Sequence, residues 1–193
     1  MNRRFLRITL IGLVALVAIA SAWTWLSASF GVQVNDSAKQ NEKVAAATLT
    51  PGKCTTKGVT VMVAVHADDK EATVTRCVVG DELNGWQLLQ AAQLAPQGTD
   101  ENPVGFLCRL MGVPASDAQD CVDTPTAAEG SWSYFYSSFD AKAKKATWQY
   151  SPVGSATRVP KCGDVEAWVF TDKATYEPGF VPKFNPEPLS CDN

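Results

Sequence analysis

The chain has 193 residues but only one histidine, His66. None of the six cysteines forms a C-x-x-C pair, so the sequence lacks the ligand spacing of common zinc sites. His66 lies in an apolar strand pattern, and the serines of the 131–138 segment lie far from it in sequence, with no nucleophile elbow around them. We therefore predict neither a metal site nor a Ser-His-Asp triad, and no cofactor.

The sequence also has few features of other enzymes or of nucleic-acid binding. The acidic pairs at 68–69, 81–82 and 100–101 fall in predicted turns, where they are solvated rather than paired in a cleft. The net charge of -3 and the sequence pI of about 5.2 leave no basic stripe for nucleic acid. We predict a protein that is not an enzyme and does not bind nucleic acid.

The N-terminus carries an uncharged apolar run from Ile8 to about Phe30, preceded by Arg3, Arg4 and Arg7. A run of this length crosses a bilayer, and the arginines keep its start on the cytoplasmic side. Residues 1–30 are thus expected to form an apolar helix that places the rest of the chain outside the cytoplasm.

Two fates of this segment stay open. The small residues 20–22 match the pattern that signal peptidase cleaves, which predicts a secreted protein. Polarity does not rise until Ser27, however, and Trp23 and Trp25 are placed to lie at the outer headgroups, which predicts an uncleaved membrane anchor.

The segment 31–53 is polar and rich in alanine, and it shows no clear period. These properties predict a flexible linker. One domain is expected over 54–171, and a Pro-rich tail over 172–193 that Cys191 ties to the domain surface.

All six cysteines lie in the translocated part of the chain, which predicts three disulfides in an oxidising compartment. Cys108 and Cys121 bracket a Gly-Val-Pro turn and are predicted to pair. Six cysteines allow 15 pairings. A bond across the hairpin that Cys54 and Cys77 flank would leave Cys162 with Cys191, but the spacing alone leaves this second part of the connectivity open.

The hydrophobic pattern of the domain predicts an α+β fold. Two β-rich stretches at 58–65 and 72–79 predict a hairpin. From Leu83 to Leu94 the period changes to that of one amphipathic helix, with Asn84 as its N-cap. Further strands are expected at 106–111, 131–137, 146–150 and 165–170.

Several short motifs occur in one order along this domain. They are Gly-Val-Thr-Val at 58–61, Gly-x-x-x-x-x-Trp-x-Leu-Leu at 80–89, Gly-Phe-x-Cys at 105–108, Gly-Val-Pro at 112–114, Trp-Ser-Tyr-Phe at 132–135, Trp-Gln-Tyr-Ser at 148–151 and Gly-Asp-Val-Glu-Ala-Trp at 163–168. In this order they resemble a bacterial extracytoplasmic domain of unknown function that is related to the C-terminal domain of transcobalamin and intrinsic factor. The resemblance covers about 54–170.

This resemblance implies a compact, β-grasp-like domain of a secreted or surface protein from a Gram-positive bacterium. In the animal proteins the domain closes over cobalamin, and similar bacterial domains are encoded near vitamin transporters. The chain departs from the cobalamin carriers because nothing in it is long enough to form their α-barrel, which supplies the other half of the site. No ligand-binding residue is therefore transferred from them.

The best candidates for a ligand site are aromatic residues on three predicted strands. Side chains alternate along a strand, so positions 132, 134 and 136 share one face while Phe135 points to the other, and 148 shares a face with 150. Such a concentration serves either as core or as a platform for a ligand. The candidates are Trp132, Tyr134, Trp148, Tyr150 and Trp168.

Glu166 is the one strand carboxylate beside these aromatics, and its simplest interpretation is an outward-facing side chain, with a hydrogen bond to a ligand as the alternative. Two functions stay open for the domain. In the first, the domain would capture a small ligand of the vitamin or corrinoid kind or assist an uptake transporter. Alternatively, it binds a protein or a cell-wall polymer.

Overall fold

The computed structural model describes residues 37–66, 69–126, 129–139, 146–172 and 174–191. The chain falls into two units, Met1–Glu42 and Lys43–Asn193, of which the first is described only over 37–42. The apolar helix predicted within 1–30 lies outside the described residues. Within the described ranges, no helix has the length and apolar character needed to span a bilayer.

The described residues form an α+β domain, as the pattern predicted, with eight strands and two helical segments. The helical segments are α1, residues 37–46, and α2, Gly85–Ala91. The strands are β1 Thr48–Pro51, β2 Val59–Ala64, β3 Val74–Val79, β4 Gln97–Gly98, β5 Leu107–Arg109, β6 Ser131–Ser137, β7 Gln149–Tyr150 and β8 Val165–Thr171.

Six of the strands form one mixed sheet in the order β1-β3-β2-β8-β6-β7. Its centre is the parallel pair β2 and β8, in which Thr60 lies opposite Val165, and all other neighbours are antiparallel. Both central strands are buried along their whole length, which explains their nearly continuous apolar sequences. Strands β4 and β5 form a separate antiparallel pair.

Helix α2 begins where the sequence predicts it. The Asn84 side chain accepts a hydrogen bond from the Gln87 amide, and the Gln87 side chain accepts one from the Asn84 amide, which forms a capping box. The helix ends at Ala91 rather than near Leu94, because Gln93 has a φ of 58°, a left-handed conformation that cannot continue an α-helix. The helix is therefore shorter than predicted.

Three other predicted segments are shorter or different in the structure. The strand expected at 146–150 contains only Gln149–Tyr150, and that expected at 106–111 only Leu107–Arg109. The segment predicted as a flexible linker, 31–53, has regular structure over much of its described part, because 37–46 are helical and β1 pairs with β3. The pattern missed β1 because the strand is only four residues long, mostly exposed and ends in Pro51, although Thr48 and Thr50 favour strands.

Each face of the large sheet is covered by a different part of the chain. On one face, Trp132, Tyr134 and Trp168 belong to the core that α2 closes. On the other face, a second cluster contains Phe135 and the tail residue Phe184. The predicted alternation along β6 is thus confirmed, and the Pro-rich tail covers the side of the sheet that α2 leaves open.

All three disulfides are present, with no free cysteine among the described residues. They join Cys108 to Cys121, as predicted, and also Cys54 to Cys77 and Cys162 to Cys191. The Cys162–Cys191 bond joins the loop before β8 to the end of the tail, and its two cysteines are 29 positions apart in the sequence. Disulfides of this number indicate an oxidising, extracytoplasmic environment.

Candidate functional site

A cleft of about 260 Å³ opens at the edge of the sheet where β7 lies. Its floor is formed by the edges of aromatic side chains from β6 and β8, and its walls by the 105–107 and 150–155 segments. Four of the five predicted candidates contribute to it. The lining residues are Gly105, Phe106, Leu107, Trp132, Tyr134, Tyr150, Ser151, Pro152, Val153, Gly154, Ser155 and Trp168.

The candidates differ in how much surface they offer. Tyr150 is 66% exposed, whereas Trp132 and Tyr134 are each 8% and Trp168 only 1% exposed. Trp148 does not reach the cleft: it is half-buried, its ring centroid lies 5.4 Å from that of Phe184, and its indole N–H donates to the Phe184 carbonyl at 2.7 Å. Tyr150 is the most exposed of the five, but it lies opposite Phe135 in the β6–β7 register and its ring meets that of Phe135 edge-on, with centroids 5.5 Å apart. The Tyr150 ring therefore lies on the Phe135 face of the sheet, opposite the floor of the cleft.

The floor is rigid because neighbouring strands pair their aromatic residues directly. Tyr134 lies opposite Trp168 in the β6–β8 register, and the two rings stack with centroids 4.7 Å apart. Trp132 lies opposite Phe170 with centroids 5.3 Å apart. Such cross-strand pairs add stability beyond their buried area. The register of two strands that are distant in sequence thus creates the floor.

Backbone hydrogen bonds fix the wall at 150–155 to the sheet and to α2. The Ser151 amide donates to the Tyr134 carbonyl at 2.9 Å, and the Trp86 amide donates to the Ser155 carbonyl at 3.1 Å. The Ser151 hydroxyl donates to the Val153 carbonyl at 2.7 Å. The first turn of α2 thereby finds one acceptor in the cleft wall, which satisfies one of the amides that a helix leaves free at its start.

Helix α2 also approaches the floor closely. A Cβ placed on Gly85 would lie 2.8 Å from the Tyr134 hydroxyl oxygen and 3.1 Å from the Ser155 carbonyl oxygen. Glycine at this position lets the helix contact both the floor and the wall of the cleft.

A buried polar cluster lies behind Tyr134. The Tyr134 hydroxyl donates to Glu166 Oε2, and Arg158 Nε lies 3.1 Å from Glu166 Oε1. Arg158 Nη2 lies 3.1 Å from Asp164 Oδ2, and the guanidinium stacks 3.8 Å above the Tyr136 ring. Glu166 is fully buried, so its predicted outward orientation is wrong: it faces inward because Arg158 and Tyr134 supply its partners.

Burial determines the protonation of this cluster. Removal from water raises the pKa of Glu166 from 4.5 to about 7, although the Tyr134 hydrogen bond and the Arg158 charge oppose the rise. Burial and the Glu166 charge raise the pKa of Tyr134 as well. Tyr134 therefore keeps its proton at neutral pH and acts as the hydrogen-bond donor to Glu166.

Sequence reasoning missed Arg158 and the wall at 151–155. Arg158 stands in a loop with no periodic pattern, and its partners follow six and eight positions later, so no local rule connects them. One feature of the sequence could have indicated the wall. Its Ser-Pro-x-Gly sequence predicts a turn, and this turn directly follows the predicted strand that contains Trp148 and Tyr150.

Other depressions on the domain have less aromatic character. One of about 460 Å³ lies over the Cys162–Cys191 disulfide, and one of about 500 Å³ lies along the tail at 174–183. Within the described part of the chain, no group of three His, Cys, Asp or Glu side chains could hold a metal ion.

Comparison of the chain with protein-family models, with curated proteins and with solved structures finds no match.

Proposed function

We propose that this chain is an extracytoplasmic, non-catalytic binding module that takes a small ligand into the cleft beside Tyr150. One observation carries the proposal: the cleft joins a rigid aromatic floor of Trp132, Tyr134 and Trp168 to two hydroxyl side chains, Ser151 and Ser155, in one concave site. Ligand sites are typically concave, mostly apolar and equipped with a few polar groups that orient the ligand.

The order of the strands supports the proposal that the domain is β-grasp-like, which is the fold that its resemblance to the C-terminal domain of transcobalamin implies. A first hairpin, β2 and β3, is followed by α2 and then by β6 and β7, and the last strand, β8, lies parallel to β2 at the centre of the sheet. The proposal of a β-grasp-like domain rests on this central parallel pair flanked by antiparallel strands. Strand β1 is an addition at the edge of the sheet.

The size of the cleft limits the ligand. At about 260 Å³ the cleft is smaller than the roughly 300–1,000 Å³ of sites that enclose a drug-sized molecule. A whole corrinoid would not fit in it, whereas one ring or an edge of a larger ligand would. If a vitamin of that kind is captured, most of it stays outside the cleft and is covered by another protein, such as an uptake transporter.

The three disulfides indicate an extracytoplasmic compartment for the domain. Its attachment to the membrane is part of the proposal. The Arg-flanked apolar segment 1–30 would hold the domain on the outer face of the membrane if it is not cleaved, and would release it if it is.

A second function, binding of a protein or a cell-wall polymer, is favoured by the apolar rim of the cleft. Tyr150 and Val153 line the cleft and are 66% and 44% exposed, and Val104, which precedes the lining residue Gly105, is 51% exposed. A rim of this kind also suits a partner that covers the site.

Native mass spectrometry and thermal shift of the oxidised full-length chain in detergent test the proposal, with corrinoids and cell-wall saccharides as ligands. We expect a ligand to bind, and Ser155→Leu, which places a larger apolar side chain in the cleft, to weaken it. Ser190→Leu is the matched control, because Ser190 is exposed in the tail and does not line the cleft. Equal binding by both variants would place the ligand elsewhere and refute the site.

A further inference from the structure

The three disulfides differ in how easily a molecule in solution reaches them. The cysteines of the Cys54–Cys77 and Cys108–Cys121 bonds are buried, with exposed fractions of 1% to 8%. Cys162 is exposed and Cys191 half-buried, and both line a depression of about 460 Å³. Disulfide exchange requires a thiolate to reach a sulfur atom, so it is fastest at an accessible bond. Of the three disulfides, Cys162–Cys191 is therefore the one most open to attack.

We propose that the Cys162–Cys191 disulfide is a site of thiol–disulfide exchange with an extracytoplasmic protein dithiol, and that its opening loosens the tail. The attacking thiolate forms a mixed disulfide with Cys191 Sγ, and the bond that breaks releases Cys162 as a thiolate. The second thiol of the dithiol then loses its proton, attacks the dithiol's first sulfur and releases Cys191. Two electrons and two protons thus pass to the two cysteines, and the dithiol protein is left with an internal disulfide. The depression shares no described lining residue with the cleft, so this proposal is independent of the proposed ligand.

The surroundings of Cys162 favour it as the leaving sulfur. The Gly58 amide donates a hydrogen bond to Cys162 Sγ at 3.3 Å, and Lys161, the preceding residue in the sequence, lines the depression. A hydrogen-bond donor and a nearby cation both stabilise a thiolate, which makes the sulfur a better leaving group. Asp164 also lines the depression, but its carboxylate accepts hydrogen bonds from Arg158 and from the Lys161 amide. The Asp164 charge is thereby compensated by Arg158.

The disulfide is the strongest restraint on the end of the tail. Near it, the Leu189 amide donates to the Gly163 carbonyl at 3.0 Å, and Glu187 Oε2 lies 2.7 Å from Lys53 Nζ. Both members of this ion pair are exposed, and such pairs contribute little to stability because water and salt screen them. Opening of the covalent bond therefore lets the residues before Cys191 fray.

Fraying of the tail uncovers the face of the sheet opposite α2. Phe184 is 5% exposed and belongs to the cluster that contains Phe135. The Phe184 carbonyl also accepts a hydrogen bond from the Trp148 indole N–H at 2.7 Å. When the tail moves away, this indole loses its acceptor and Phe135 gains contact with water. Reduction at the edge of the domain thus exposes an apolar face that the oxidised protein keeps covered.

The first test asks which disulfide a dithiol opens. The oxidised full-length chain in detergent is treated with dithiothreitol at neutral pH without denaturant, quenched with N-ethylmaleimide at several times and mapped by peptide mass spectrometry. We expect Cys162 and Cys191 to be labelled at least about tenfold faster than the other four cysteines. Equal labelling of the three pairs, or earlier labelling of another pair, would overturn the exchange site.

A monothiol and a pair of variants test the direction of attack. With glutathione in place of dithiothreitol, we expect the mixed disulfide on Cys191 and N-ethylmaleimide on Cys162, and the reverse would refute Cys162 as the leaving sulfur. We expect Lys161→Gln to slow the opening about threefold. Lys70→Gln is the matched control, because Lys70 is exposed and lies beyond the far end of β2 from Gly58. Equal rates for the two variants would refute the role of Lys161.

The loosening of the tail is measured at two indole N–H groups. Trp148 donates to the tail, whereas Trp132 donates to the Val113 carbonyl at 3.1 Å and belongs to the core that α2 closes. Their NMR relaxation by a soluble gadolinium chelate is compared in the wild type before and after dithiothreitol opens this bond, and in the Cys162→Ser, Cys191→Ser double variant. We expect the opening to raise the relaxation of Trp148 at least about twofold and to leave that of Trp132 unchanged. An unchanged Trp148, or an equal rise at both indoles, would overturn the loosening.

Discussion

Replacement of Glu166 by Gln is expected to remove a large pH dependence of stability. The Glu166 carboxyl is fully buried, and its pKa rises from 4.5 to about 7 in the folded protein. One pKa unit corresponds to about 1.4 kcal/mol. The difference between the two pKa values therefore corresponds to about 3 kcal/mol of free energy of unfolding, which is a large fraction of the stability of a domain.

The sign follows from which state holds the proton. Between the two pKa values, folded Glu166 keeps a proton that the unfolded chain releases, so protonation favours the folded state. This contribution is fully present below about pH 4.5 and is lost as the pH rises through about 7. Above pH 8 the folded protein contains a buried carboxylate, which the Tyr134 hydrogen bond and Arg158 only partly compensate.

Urea unfolding of the oxidised protein at several pH values from 4.5 to 8 measures this effect. We expect the free energy of unfolding of the wild type to fall by about 3 kcal/mol relative to Glu166→Gln over this range. A constant offset between the two proteins is irrelevant, because only the slope reports the titration. Glu101→Gln, at an exposed position, is the control and should keep the wild-type slope. Parallel curves for wild type and Glu166→Gln would refute the buried-carboxylate account.

Two further predictions concern the same domain. Tyr134→Phe removes the hydrogen bond that lowers the pKa of Glu166. We therefore expect the midpoint of the Glu166 carboxyl titration, followed by ¹³C NMR, to move above its wild-type value. An unchanged midpoint would contradict the role of Tyr134 as hydrogen-bond donor to Glu166. Joint replacement of Cys162 and Cys191 by serine opens a loop of 29 positions, which by loop entropy costs about 3.5 kcal/mol of unfolding free energy. Urea unfolding checks this value, and a loss under about 1 kcal/mol would show that the tail stays in place without its disulfide.

The parts of the fold that the sequence predicted are those set by short-range rules. The alternation of 132, 134 and 136 against Phe135 assigns the two faces of β6 whatever its neighbours are. Asn84 and Gln87 form their capping box within four residues. The Cys108–Cys121 disulfide likewise closes a short loop around a turn.

The parts that the sequence did not predict depend on pairing between distant segments. Whether an aromatic side chain is floor, core or rim depends on which strand lies beside it, and Tyr150 is exposed because β7 ends the sheet. Glu166 was assigned to the surface because strand carboxylates are usually solvated. Its burial requires Arg158 from a loop and Tyr134 from β6, and neither pairing follows from a local pattern.

The division of the sheet into two covered faces explains why the candidate site lies at an edge. Helix α2 covers the face with Trp132 and Trp168, and the tail with Phe184 covers the opposite face. An aromatic platform in the middle of either face is therefore buried. At β7 the strand is only two residues long, and the wall that follows turns back toward the floor without closing over it. Among the five candidates Tyr150 is the most exposed, but its ring lies beside Phe135, on the opposite face of the sheet from Trp132 and Trp168. The cleft and the exposed aromatic ring are therefore two separate surfaces at the same edge of the sheet, and a ligand of the cleft has to be recognised by the floor and the serines of the wall.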